Sequence, residues 1–494
     1  MRRLLFALAT ALGAALSRPA AAATINVAPG DSYAKIEAAG PGDEVVIAPG
    51  TYAFRLQLTK AAPADQPIVI RAQDPSRPPV WDLSSTLVEN APGSYTAGDR
   101  GRGCWQLSGA TNVHISGLVI TGCHNAGANS AGLRYYNGAT GIVLSDVVFR
   151  DNDNGLTGGT QDSEITVEFC EFDGNGTLLA SSSAPSHNIY IYGGTFALRY
   201  SYAHDPIQGQ NFHIRAKQAV LEYNWFARAK SYAGDLMTDD DYAGGGSLTQ
   251  TMTLRGNVIV QGAQSNASQI VAVYNDAGAP GLTLNVVLLY NTLVGPAGGH
   301  AALVHLSNAD GTPMNAELDD NLVTGTTRAT LVEQASTGHL TGTHNWLPSG
   351  ADGAGLSATV FGADPMFKNA AQSDYTLAAG SSAIGAAVAP AAGAPDREYY
   401  RNETTARMYR ARTAAMDIGA FESTSTGSGV GPSGTPLPTG AGGATGAGGA
   451  TGAGGATGGA GTTGAGGATG GAGTTGAGGA TGGAGTTGAG GATG

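Results

Sequence analysis

From Val113 onward the chain repeats one short phrase. A strand-like run ends in a small or polar residue, a second apolar pair follows, and glycine or asparagine closes it. The copies are VHISGLVITG (113–122), IVLSDVVFRDN (142–152), ITVEFCEFDGN (165–175), AVLEYNWFARA (219–229), MTLRGNVIVQG (252–262), VVLLYNTLVG (286–295) and NAELDDNLVTG (315–325). Aligning Gly117, Asp146, Cys170, Asn224, Asn257, Asn291 and Asn321 gives steps of 29, 24, 54, 33, 34 and 30. A further copy, LRYSYAHD (198–205), aligned on Ser201, divides the longest step into 31 and 23. Self-similarity at this period means a solenoid, a propeller or an array. The runs are too short for helical repeats and lack their 3.6-residue period. A propeller blade needs four strands in about 40–45 residues, and these copies do not supply them. What remains is an all-β parallel β-helix, each coil stacked on the last around one apolar core. Asn224, Asn257, Asn291 and Asn321 then share a corner, where stacked side chains can hydrogen-bond one another. The shortest coil takes about 23 residues, so longer steps insert loops, where binding usually resides.

Composition agrees. The chain has 79 glycines in 494 residues, over twice the usual ~7%, which a helical bundle would not tolerate. Its formal charge of −12 excludes a basic nucleic-acid binder. Residues 1–23 have a basic start (Arg2, Arg3), an apolar run and a final Ala20–Ala23, the pattern of a secretory signal peptide. Export to the cell surface or medium is therefore expected. No later stretch approaches the ~20 apolar residues of a membrane span, and a monomer is expected. Three cysteines allow one disulfide at most: Cys104 and Cys123, about a coil apart, either bond or pack, while Cys170 reads as a small core residue. No charged residue follows Ser423, and Thr439–Gly494 holds only Gly, Ala and Thr. That tract predicts a disordered low-complexity spacer over 423–494.

Two family resemblances refine the ends. Asp31–Ala39 reads as a short capping helix. The following PGDEVVIAPGTY (41–52) and PIVIRA (67–72) resemble the opening of pectate-lyase-like, right-handed parallel β-helix proteins. The resemblance implies a single-stranded right-handed solenoid over 24–350. Asp364–Phe367, Asp374–Leu377, Gly380–Ile384 and Asp417–Glu422 resemble the choice-of-anchor Q terminal region, which assigns 351–422 to terminal coils and a cap and implies a surface fate. The basic, aromatic segment Arg397–Arg412 between these motifs reads as a surface insertion.

The densest polar and aromatic stretch is 187–242. Within 212–217, strand parity turns Phe212, Ile214 and Ala216 one way and His213, Arg215 and Lys217 the other. In the preceding coil the same alternation turns Tyr190 and Tyr192 outward. Tyrosines beside cations suit a sugar chain, since aromatic faces meet pyranose rings and cations meet uronate carboxylates. The block also resembles a recurrent segment of bacterial right-handed β-helix proteins at His187-Asn188-Ile189-Tyr190, His204, Arg215-Ala216 and Asn224, with His213 where that segment has lysine.

These residues lead to an extracellular polysaccharide as partner and to a polyuronate lyase as the activity. Arg215 and Lys217 supply charge, and His213, His204 or Tyr190 supplies base or acid. His187, Tyr192, Arg199, Tyr202 and Glu222 are the binding candidates. Calcium is a candidate cofactor, as in related β-helix lyases, with Asp235 and Asp239 of the Asp239–Asp241 run as hard oxygen ligands. A glycoside hydrolase would instead need two facing carboxylates, from Asp205, Glu222 and Asp235. A non-catalytic adhesive protein on a flexible stalk is the rival from another class.

Overall fold

The structure is a computed structural model. It describes residues 22–85, 102–177, 186–239, 248–262, 267–275, 282–296, 299–308, 313–333, 339–388, 393–400, 403 and 407–433. Most of the leader, the Gly/Ala/Thr tract, Asp240 and Asp241 lie outside these residues.

The described chain is a right-handed parallel β-helix built on three long parallel sheets of 12, 12 and 10 strands. Successive strands visit the first, second and third sheet in turn, as in Thr195–Arg199, Tyr202–His204 and Phe212–Arg215. Alternation decides the faces. Ile189 and Ile191, then Phe212 and Ile214, point into the fully buried core, and their neighbours point out. The capping helix is shorter than its sequence suggests, Ala34–Glu37, and seats Ile36 on the open end of that core.

Between first and second sheets the turn has two residues. Its first is left-handed, as at Tyr200 (φ 52°), Tyr223 (φ 55°) and Tyr290 (φ 52°), and its second points inward. At Asn224, Asn257, Asn291 and Asn321 the inward residue makes the expected ladder. The Asn224 amide donates to Asn257 Oδ1 at 3.0 Å, Asn257 to Asn291 at 3.0 Å, and Asn291 to Asn321 at 2.9 Å. The ladder runs one coil further, to Asn345 at 3.0 Å. Each amide also donates to a strand carbonyl, Asn257 to Leu221 at 2.8 Å, so backbone and side chain lock the same register. Gly117 and Asp146, aligned with these asparagines in the sequence, are instead the left-handed turn residues at φ 71° and 55°; Leu118 and Val147 hold the inward position. A second, unforeseen ladder joins Asn152, Asn175, Asn188 and Asn211 between the second and third sheets.

Cys104 and Cys123 form a disulfide, and Cys170 is buried and free. After Val360–Gly362, which extends the second sheet, the chain turns back along the solenoid's flank. Tyr375 and Tyr399 pack on Trp225, Tyr223 donates to Asp396 at 3.0 Å, and Arg407 reaches Asp146 and Glu171. The described part of Arg397–Arg412 thus belongs to a strap packed on the coils: Arg407 answers acids on two of them, and Arg410 and Arg412 answer Glu398 and Glu422 within the strap.

Asn257→Ala removes the acceptor of two Asn224 donors and the donor to Leu221, all buried. At about 1–3 kcal/mol per stranded group, it is expected to cost about 3 kcal/mol or more in denaturant unfolding. Asn315→Ala, which loses only a half-buried bond to Asn285, should stay within about 0.5 kcal/mol.

Candidate functional site

Strand register on the third sheet aligns Thr157, Tyr190, His213 and Asp235 in one outward row, one residue per coil. Tyr192 and Arg215 align in the next outward row. Parity dictates this: Tyr190 lies between Ile189 and Ile191, His213 between Phe212 and Ile214, and Arg215 between Ile214 and Ala216, all of them inward.

The centre of the site is His213. Its Nδ1 lies 2.8 Å from Asp235 Oδ1, close but off the line of a hydrogen bond, and both side chains are nearly buried. Gln210 Nε2 donates to Asp235 Oδ2 at 3.2 Å, which fixes the carboxylate. His213 Nε2 is buried with no hydrogen-bond partner among the described residues. Such a nitrogen is costly unless a ligand completes it. His187 stacks on His213 with ring centres 4.8 Å apart, and its Nδ1 accepts the Gln210 backbone N–H at 3.2 Å. Burial, reinforced by the adjacent His213, holds His187 well below the ordinary histidine value, so it stays neutral. Tyr190 stands edge-on to His213 at 4.3 Å and contacts Tyr192 at 4.6 Å, while Thr157 donates to the Tyr192 hydroxyl at 3.3 Å. Arg215 is 8% exposed, so its charge acts through little water.

Six expected site residues lie elsewhere. A coil of about 23 residues visits three faces, so closeness in sequence does not put side chains in one groove. Lys217 follows the end of the Phe212–Arg215 strand and is exposed at the corner. Arg199 and Glu222 face outward on the first sheet and pair at 3.0 Å, in a ladder that includes Glu168 and Arg255. Tyr202 and His204 belong to the second sheet, where Tyr202 donates to Glu403 of the strap. Asp239 is buried and accepts the Gly193 backbone N–H at 2.8 Å, a loop-fixing role. The acids considered for a hydrolase also separate: Glu222 is on the first sheet, Asp205 follows the second and Asp235 is on the third.

His204 is an ion-pair centre. Its Nδ1 lies 2.8 Å from Asp205, and its Nε2 lies 3.5 Å from Glu171. Burial opposes its charge, but the hydrogen bonds it donates to Asp205 and Glu171 and the charge of Asp173 outweigh that and raise it to about 9. An imidazolium so held does not serve as a base at neutral pH. Glu171, Asp173 and His204 also bring three possible metal-ligand atoms within 4.8 Å of one another. The donor types suit a divalent cation, but cations already answer them: Arg150 pairs with Asp173 at 2.8 Å and Arg407 with Glu171 at 3.3 Å. The three groups fit an ion-pair network better than a calcium site.

Sequence reading missed Gln210 and Thr157 and gave Asp235 a different role. The signal was present. Tyr190, His213 and Asp235 are 23 and 22 residues apart, the length of the shortest coil, so they had to stack.

Fold and site together define a parallel β-helix protein with a polar, aromatic row on the outer face of its third sheet. Among solved structures it is similar to pectate lyase Pel9A, at 14% identity and a TM-score of 0.46 over 81% of this chain and 96% of that one. It is also similar to an alginate lyase from a Paenibacillus species (14%, TM-score 0.41, 68% and 99% covered). A third is the catalytic unit of a thermostable α-1,3-glucanase from Streptomyces thermodiastaticus (15%, TM-score 0.46, 71% and 69% covered). No protein-family description and no curated protein matches the chain.

Because the folded value of His204 is raised, its contribution to stability is complete below the ordinary histidine range and is lost as pH climbs through about 9. Melting temperature should therefore fall between pH 6.5 and 9 in the unaltered chain. His204→Gln should flatten that fall, and an unchanged slope would contradict the ion-pair assignment.

Proposed function

We propose that the outer face of the third sheet binds an extracellular polyuronate and cleaves it by β-elimination. The observation that carries this reading is the buried, unpartnered Nε2 of His213, held over Asp235 beside Tyr190 and Arg215.

The step balances on this chain's own groups. Arg215 meets the uronate carboxylate and lowers the cost of charge developing at C5. His213 Nε2 takes the C5 proton, and the C–H electron pair becomes the C4–C5 double bond. The C4–O bond breaks, and the Tyr190 hydroxyl protonates the departing oxygen. Solvent then returns His213 and Tyr190 to their starting states. Asp235 orients the ring and stabilises the imidazolium as it forms, a positioning role. With Arg215 supplying the charge, and the acids near His204 already paired, activity is expected to survive a chelator.

Export fits this assignment, because a structural disulfide such as Cys104–Cys123 persists in oxidising surroundings.

The test is ultraviolet absorbance of unsaturated uronate from polygalacturonate, alginate and glycosaminoglycans, with and without calcium. Release from one of them is expected. His213→Ala should cut the rate by about 10²–10⁴-fold. Asp235→Asn should lower kcat more than it alters KM. Binding with no absorbance change from any polymer would replace the lyase by an adhesive, non-catalytic protein.

A further inference from the structure

A second polar and aromatic cluster occupies the same outer face, on the far side of the His213–Asp235 pair. The row that holds them continues through Ala272 to His305. Three strand steps separate His213 from His305, about 14 Å at the usual spacing. Ala272 places only a methyl group between the clusters.

His305 Nδ1 accepts a hydrogen bond from Gln269 Nε2 at 3.0 Å, which puts the ring's own proton on Nε2. The same amide reaches the Tyr274 hydroxyl at 3.3 Å, and that hydroxyl donates to Tyr232 at 2.7 Å. Donation thus runs from Gln269 through Tyr274 to Tyr232, and the Tyr232 proton is the open end of the chain. Both tyrosines are half-buried, with ring centres 5.9 Å apart and planes at 47°. Tyr274 also stands edge-on to His305 at 5.4 Å. No carboxylate, lysine or arginine belongs to this set, in contrast to the Arg215 end of the face.

We propose that Tyr232, Gln269, Tyr274 and His305 form a second sugar subsite that grips rings through their hydroxyls and apolar faces rather than their carboxylates. Aromatic rings supply area, and the half-buried Tyr232 phenol supplies direction. The proposal rests on the third sheet being the polysaccharide face and adds a length requirement. A pyranose unit is about as long as one strand step, so only a chain laid along the coil axis for several units reaches both clusters.

Calorimetric titration of the full chain with galacturonate and mannuronate oligomers of two and six units tests this. The hexamer should bind about tenfold more tightly than the dimer. Tyr232→Phe, which removes the terminal hydroxyl and with it the acceptor of the Tyr274 proton, should shrink that preference, and Tyr274→Ala should abolish it, with dimer affinity unchanged in both. A preference that survives both substitutions, or dimer and hexamer weakened alike, overturns the subsite. Arg215→Ala reports separately on the uronate reading. If it leaves both oligomers unaffected while the tyrosine variants weaken the hexamer, that reading fails and the subsite stands. No binding of any oligomer by the unaltered chain overturns both.

Discussion

The two-residue turn between the first and second sheets governs everything built on it. A left-handed residue reverses the chain, and the next residue points inward and, in five successive coils, is an asparagine bonded to its counterparts. Because each asparagine answers both a neighbouring side chain and a strand carbonyl, a register slip would strand several buried polar groups at once. Register in turn places His213 over Asp235. The geometry of the candidate site is a consequence of how the coils are indexed, not of any local motif.

The three outer faces are put to different uses. The first carries an ion-pair ladder through Glu168, Arg199, Glu222 and Arg255. The second meets the strap, whose Tyr375 and Tyr399 pack on Trp225 and whose Arg407 answers Glu171. On the third, Gln106 Nε2, Gln210 Oε1 and His213 Nε2 are buried with no partner among the described residues. Unpaired polar atoms gathered on one wall mark where a polar ligand would be recognised. Similar single atoms occur elsewhere, at Trp225 Nε1 and Arg255 Nε, but the third sheet adds to them an outward row of Tyr190, His213 and Asp235 that neither an ion-pair ladder nor the strap covers.

Much of this was legible in the sequence. Periodic strands and glycine content dictated the solenoid, and corner asparagines announced their own ladder. Tyr190, Tyr192, His213 and Arg215 were correctly turned outward by parity. The errors share one physical cause. Taking 187–242 as a single groove overlooks that between 199 and 222 the chain passes from the first sheet through the second and third and back to the first, which puts Arg199, His204 and Glu222 on other faces. The strap was invisible for a different reason: the contacts of Arg407 with Asp146 and Glu171 span over 200 positions, and no local pattern encodes them.

The claim that everything converges on is that the third sheet's outer wall receives a sugar chain along the coil axis. A crystal structure of the His213→Ala chain soaked with hexagalacturonate or hexamannuronate addresses it directly. The account predicts density for an oligosaccharide crossing successive coils, with a carboxylate against Arg215 and a ring beside Tyr190. Density confined to the first or second sheet, or a sugar lying parallel to the strands, would contradict it.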